Sequence, residues 1–357
     1  MNLLVLETLA RGIAIGALVA TGAGLWRGGG AGSVRLAGAL FCAGVIAYAI
    51  NSSPPLRHAA GWALPALHFA SLGGVGLFWL LIVTLFEDRP ITPRTLAPWA
   101  LLTLVGLMGI AGSTAGPSAV WFVIRPRIWV VHNLIEAAFA LHALYIIARS
   151  WRGDLVEARR RLRGPFLTMV TLYVITLSGF EIAEDFGHFK PWLRLLGGVS
   201  LALYCVVGAM VFLQARPELF GAAAPATAAP ATGLDAGDRA SLDKLAALMG
   251  EGEAWRREGL SIGVLADEVG VPEHRLRRLI NDQLGYRNFA AFVNARRIAA
   301  AKRLLADAQT ARQTVAAIAY DLGFGSLGPF NRAFKEATGV TPTEWRRRAS
   351  PIRENPG

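Results

Sequence analysis

The stretch Leu265-Ala266-Asp267-Glu268-Val269-Gly270-Val271-Pro272-Glu273-His274-Arg275-Leu276-Arg277-Arg278-Leu279-Ile280 holds a short amphipathic helix, a glycine stop and a second, Arg-rich helix with Pro272 in its first turn. Ile262, Leu265 and Ala266 supply the inner face of the first helix, Gly270 permits the turn, and Leu276, Leu279 and Ile280 bury the second helix against the first. This is the pattern of a helix-turn-helix, whose second helix presents its outer face to the major groove. That face carries His274, Arg275, Arg277 and Arg278. Arg binds guanine O6 and N7 bidentately, each good pair giving about 1 to 3 kcal/mol of discrimination.

The pattern recurs at Ile318-Ala319-Tyr320-Asp321-Leu322-Gly323-Phe324-Gly325-Ser326, which leads into Phe330-Asn331-Arg332-Ala333-Phe334-Lys335. A long helix over residues 286–305 connects the units, with Phe289, Phe292, Val293, Ile298, Ala301 and Leu304 on its apolar faces and Arg296, Arg297, Lys302 and Arg303 as its basic complement. A rigid connector matters because two recognition helices use successive major grooves only if held roughly 34 Å apart. Residues 261–348 carry fourteen Lys and Arg against eight Asp and Glu, and this net +6 suits a polyanionic partner. A solvated basic face on an ordinary helix is the bland reading of one such stretch, and the repeat argues against it.

With these residues in place, the region resembles the AraC/XylS family of bacterial transcription regulators. The matching positions are Leu265-Ala266, Gly270, Leu276, Arg278, Gly285, Phe292, Arg297, Ala301 and Leu304-Leu305, then Ile318-Ala319, Gly323-Phe324, Ser326, Phe330, Arg332, Phe334-Lys335, Gly339 and Thr341-Pro342. The resemblance covers residues 260–348, a quarter of the chain. It implies promoter DNA and RNA polymerase as partners. It places His274, Arg277 and Arg278 of the first unit, and Leu327, Gly328, Pro329, Asn331 and Arg332 of the second, against bases. Arg275, Arg296, Arg297 and Lys335 are the candidates for phosphate contacts. Leu327, Gly328 and Pro329 depart from a generic reader, because they offer no side-chain hydrogen bonds. Specificity is therefore expected mainly from the first unit.

The remainder of the chain has a different solvent in view. Of 357 residues, 54% are apolar and 17% charged, too oily for an ordinary soluble protein, and the net charge is +11. A bilayer core needs about 20 mostly apolar residues per helix. Candidate spans fall at residues 3–25, 34–50, 59–86, 96–111, 128–148, 166–183 and 192–213, about seven, with six as the alternative count because the fourth is short and Gly-rich. The loop over residues 149–163 carries Arg149, Arg152, Arg159, Arg160, Arg161 and Arg163, and the positive-inside rule puts it in the cytoplasm. Seven spans then place the N-terminus outside and the C-terminus inside, where DNA is. This layout resembles a subgroup of the family with seven-helix membrane domains. Cys42 and Cys205 lie in apolar runs and read as packing residues, and the N-terminal run lacks the basic region of a cleaved signal peptide.

Ionisable residues inside spans are functional hypotheses by default. His132 and Glu136 share a helical face, Glu181, Glu184, Asp185 and His188 form a stripe near the end of the sixth span, and Glu7 and His68 complete a candidate sensory cluster. Imidazole with carboxylate suits a metal, a proton or a cationic ligand. The bland reading is stronger: Glu7 pairs with Arg11 along one turn, the stripe lies at a wetted helix end, and the histidines make interhelical hydrogen bonds. No metal is assigned. Trp62, Trp79, Trp99, Trp129 and Trp192 read as interface anchors.

No nucleophile, nucleotide-binding or phosphotransfer motif appears, so neither enzymatic activity nor a cofactor is expected. The expected fold is all-α: a polytopic transmembrane helical bundle over residues 1–215, an Ala/Pro-rich flexible linker over 216–239, an amphipathic connector helix over 240–258, a tandem helix-turn-helix DNA-binding domain over 259–349 and a disordered tail over 350–357. The leading functional expectation is a multi-pass regulator of the bacterial inner membrane that reads promoter DNA, senses a small-molecule or ionic signal, contacts the lipid bilayer and pairs as a homodimer. The alternatives are a transporter or membrane enzyme with an appended DNA-binding reporter, and a passive anchor or dimerisation scaffold.

Overall fold

The computed structural model describes residues 2–27, 32–114, 119–149, 151, 153–156, 160, 164, 167–173, 176, 191–213 and 235–349. The chain divides into two compact units, Met1–Arg152 with Ala158–Pro225, and Gly153–Glu157 with Ala226–Gly357. The described residues are helical, with one isolated antiparallel bridge and no strand.

In the first unit the described helices are α1 (Leu3–Arg27), α2 (Gly32–Asn51), α3 (Pro54–Ala60), α4 (Leu64–Leu72), α5 (Gly74–Phe86), α6 (Pro93–Thr114), α7 (Ala119–Arg149) and α8 (Pro191–Leu213). Five of them, α1, α2, α6, α7 and α8, contain stretches long and apolar enough to cross a membrane, and the bent pair over residues 54–86 raises the count to as many as six. Their apolar residues do not stop at the interior: Leu9, Ile13, Leu134, Leu141 and Leu203 are each more than half exposed. A helix apolar all round has no stable face toward water.

The third expected span is not one straight helix. The chain bends by 52° between α4 and α5, at Gly73, where a β-carbon would lie 2.3 Å from the Trp99 ring and 2.6 Å from the Thr103 hydroxyl. Close approach of α6 explains the glycine. Trp79 is likewise not an interface anchor, because its ring is buried and its Nε1 donates to His142 Nδ1 at 2.8 Å, tying α5 to α7. Most of the sixth expected span, residues 216–234 of the expected linker and the tail from residue 350 lie outside the described residues.

The second unit is built around one buried cluster. Its helices are α9 (Ala236–Met249), α10 (Ile262–Val269), α11 (Glu273–Leu284), α12 (Phe289–Ala306), α13 (Val315–Asp321), α14 (Leu327–Thr338) and α15 (Pro342–Ala349). Short polar side chains cap several of them. Ser261, Asn288 and Thr314 accept from the backbone amides of Val264, Ala291 and Ala317 at 3.3, 2.7 and 3.0 Å. At α15 Thr341 and Glu344 form a reciprocal capping box, and the Thr341 amide holds the Glu344 carboxyl below its usual range.

The expected connector helix is longer at its N-terminus than residues 240–258 implied, since it starts at Ala236 under an Asp235 cap. Its Leu245 and Met249 join the cluster formed by Leu265, Ala266, Leu276, Ile280, Phe292, Ala301, Ile318, Phe330 and Phe334. This amphipathic helix is therefore docked on the reader. Leu155 also belongs to this cluster, so residues 153–156 are part of this unit and not of the helical bundle assigned to residues 1–215.

Gly323 marks the tightest point. Its φ is +83°, and a β-carbon there would fall 2.2 Å from the Arg256 carbonyl oxygen and 2.8 Å from Arg297 Nη2. Gly285 has a similar φ of +74° with nothing in reach of an added β-carbon. Gly285→Ala is therefore expected to cost about 1 kcal/mol of backbone strain, and Gly323→Ala more than about 2 kcal/mol because displacement of the Arg256 turn is added. Pulse proteolysis of the full chain in urea measures both, and equal losses would show that sterics at Gly323 do not matter.

Candidate nucleic-acid interface

Each helix-turn-helix has one face committed to the core, and this sets which side chains remain outside. In the second unit Phe330 and Phe334 are fully buried at i, i+4 spacing, with rings 5.7 Å apart. Trp345 of α15 packs edge-on to Phe334 at 5.9 Å, and its Nε1 donates to the Lys302 carbonyl at 3.3 Å. The opposite face of α14 is accordingly exposed: Leu327, Gly328, Pro329, Asn331, Arg332 and Lys335 all face solvent. Except for Asn331 and the two cations, this stripe offers no polar side-chain group.

The first unit treats its cations unequally. Leu276, Leu279 and Ile280 bury α11 against α10, leaving His274 and Arg278 exposed and Arg275 half-buried. Arg277, expected to face bases, is instead buried at 3% exposure. Its guanidinium donates to the Asp154 carbonyl at 2.7 Å and pairs with Glu273 one turn earlier. The expectation that Arg277 points outward is thus corrected: it sits on the flank of the helix that meets residues 153–156.

Arg297 is corrected in the same way. A phosphate contact requires an exposed head group, yet Arg297 is 8% exposed, donates to the carbonyls of Trp255 at 2.7 Å and Arg257 at 2.8 Å, and lies 5.1 Å over the Phe324 ring. Burial draws its pKa below the ordinary arginine value, and the nearby Glu258 charge opposes that shift. Its role in this structure is to join α12 to the turns on either side of it. Arg296, its sequence neighbour, is exposed.

Sequence reasoning missed the acidic group beside the reading helix. Asp238, on the first turn of α9, accepts from Arg275 Nε at 2.7 Å and lies 3.5 Å from Arg278 Nη2, while Asp235 lies 3.6 Å from Arg275. Nothing in the local pattern distinguishes Asp238 from any solvated carboxylate. Docking of Leu245 and Met249 is what brings it to the arginines.

Among the described candidate sensory residues, Glu7 and His132 have different partners. Glu7 is buried against Arg11 at 2.7 Å and accepts from the Ser53 hydroxyl at 3.4 Å, while Arg11 also donates to the Ala49 carbonyl and the Ser52 hydroxyl. His132 is buried elsewhere, with Nε2 3.2 Å from the Leu72 carbonyl and Nδ1 3.9 Å from Glu136. His68 is half-buried. Among the described residues no three of His, Cys, Asp and Glu are grouped to hold a metal ion. Glu181, Glu184, Asp185 and His188 lie outside the described residues.

Two units of this geometry, joined by α12 and carrying outward cations, define a DNA-binding domain of the kind found in transcription regulators. Residues 265–348 match the family described as a helix-turn-helix domain, of the AraC type, within the residues 260–348 that carry the AraC/XylS resemblance. A solved structure similar to this chain is a transcriptional regulator from Chromobacterium violaceum, described as an AraC-type DNA-binding domain-containing protein. It is 27% identical, the match covers 33% of this chain and 99% of that one, and the TM-score is 0.28. Among curated proteins none matches the chain.

Asp238 competes with phosphate or base for Arg275 and Arg278. Such partly exposed ion pairs are worth about 0.2 to 1 kcal/mol each. Asp238→Asn is expected to tighten DNA binding about two- to tenfold and to steepen its salt dependence. Filter binding between low and moderate salt checks this, and an unchanged or weaker affinity would mean the carboxylate does not hold the arginines back.

Proposed function

We propose that the chain is a membrane-anchored, sequence-specific transcription regulator that reads promoter DNA through its two helix-turn-helix units and responds to a signal received by its apolar N-terminal helices. The observation that carries this reading is the pair of outward faces, His274 with Arg278 on α11 and Leu327, Gly328, Pro329, Asn331 and Arg332 on α14, each turned away from a shared core. His274 and Arg278 are the base readers, and Arg275 joins them when it leaves Asp238. Leu327, Gly328 and Pro329 allow close backbone approach and apolar contact with a thymine methyl, while Asn331, Arg332, Arg296 and Lys335 position the duplex.

Membrane anchoring is supported by five to six helices long and apolar enough to span, by their exposed leucines and isoleucines, and by the arginines of residues 149–163 on the side where DNA must lie. In this reading the protein sits in the bacterial inner membrane with its N-terminus outside, engages RNA polymerase from the cytoplasmic side and pairs as a homodimer. Alkaline phosphatase and fluorescent-protein fusions at residues 55, 90, 155 and 220 test the topology. Fluorescence is expected at 90, 155 and 220 and phosphatase activity at 55, and the reverse assignment at 155 would sink the reading.

Arg278→Ala is expected to cost about 1 to 3 kcal/mol on the preferred operator and to relax preference at one base pair, whereas Lys335→Ala should weaken all sequences alike and lower the salt slope by about one. Binding of both variants across an operator series measures this. Uniform weakening by Arg278→Ala would remove it from base readout.

A further inference from the structure

Residues 153–156 follow the C-terminal end of α7 by a few positions, yet they fold as part of the DNA-reading unit. Asp154 pairs antiparallel with Asn288. The Phe289 amide donates to the Gly153 carbonyl at 2.8 Å, and the Leu155 amide donates to the Arg287 carbonyl at 3.0 Å. Leu155, 1% exposed, is buried in the same cluster as Leu276, Ile280, Phe289 and Phe292. Asp154 shapes the segment by accepting from the Val156 amide at 3.0 Å, and Arg277 of the reading helix clasps the Asp154 carbonyl at 2.7 Å. Main-chain bonds that hold an extended segment, with one side chain seated in a core, are the general mode of strand addition.

We propose that residues 153–156 are the strap through which the N-terminal helices control the DNA reader. Docked, the strap completes the first helix-turn-helix: Leu155 fills its core and the Asp154 carbonyl fixes Arg277, so α11 is held in reading position. Undocked, the unit has an unfilled core site and an Arg277 without its Asp154 carbonyl partner, and it binds DNA poorly. The path is short. Gly153 is four positions after Arg149, a reach of at most about 14 Å, whereas the route from Leu213 to Asp235 is 22 positions long. This inference rests on the DNA-reading assignment above.

Asp154 and Asn288 form a non-hydrogen-bonded antiparallel pair, whose Cα atoms lie about 4.5 Å apart, within disulfide range. The full chain in native membranes, with Asp154→Cys and Asn288→Cys and a protease site placed within residues 221–230, supplies the test. After mild oxidation and cleavage, the two fragments are expected to stay joined on a non-reducing gel, and the single-cysteine chains are expected to separate. The oxidised lock should bind operator DNA at least as tightly as the reduced form. Leu155→Asp should weaken binding at least about tenfold, and the milder Leu155→Ala about threefold or more with helical content unchanged and faster exchange of the Phe289 amide. Lengthening residues 221–230 with Gly and Ser should change affinity less than about twofold.

No cross-link, a lock that abolishes binding, Leu155 variants that bind normally, or linker lengthening as damaging as Leu155→Asp would each overturn the strap. Loss of specific binding by the wild-type chain itself would defeat the DNA-reading assignment and the coupling with it. Wild-type binding without a cross-link would defeat the strap alone.

Discussion

A helix-turn-helix of some twenty residues has too little surface to bury a stable core of its own, and everything in the C-terminal unit depends on how α12 remedies this. Phe292 and Val293 near its start, and Ile298, Ala301 and Leu305 along its length, lie in one cluster with the inward residues of both units. Arg297 adds a polar fastening, since its guanidinium ties α12 to the Trp255 and Arg257 carbonyls and covers Phe324. Broken at that point, the helix would leave a buried cation without its carbonyl partners, a larger loss than the hydrogen bonds themselves.

The cations of this unit show how one residue type serves several ends. Arg277 and Arg297 point inward and satisfy carbonyls, Arg275 and Arg278 share the carboxylate of Asp238, and Arg296, Arg332 and Lys335 face water. A net +6 over residues 261–348 therefore overstates the charge available to a polyanion at first encounter. Two of the positive groups are structural, and two share the Asp238 carboxylate, Arg275 half-buried and Arg278 exposed.

The N-terminal unit follows the opposite rule. Among its described residues many leucines and isoleucines are exposed, while Glu7 with Arg11 and Ser53 is buried between helices. Buried pairs of this kind join helix to helix and satisfy each other's polar atoms. They give a sufficient account of Glu7 and His132 without a ligand. Hydropathy does not show the 52° bend at Gly73, where Trp99 and Thr103 lie too close for a β-carbon.

Periodicity and composition in the chain were enough for the all-helical class, the positions of five apolar helices, both helix-turn-helix units with their glycine turns, and the inward residues from Leu265 to Phe334. Each of these follows from local preference plus the burial of one helix face, and a 3.6-residue repeat encodes it directly. The direction of Arg277 and Arg297, the carboxylate beside Arg275 and Arg278, and the membership of residues 153–156 in the DNA-reading unit were decided only by tertiary structure. Arg277 and Arg278 are adjacent and chemically identical, but they stand about 100° apart around the helix. What lies on each side is supplied by segments far away in the chain: Asp154 for one, Asp238 for the other.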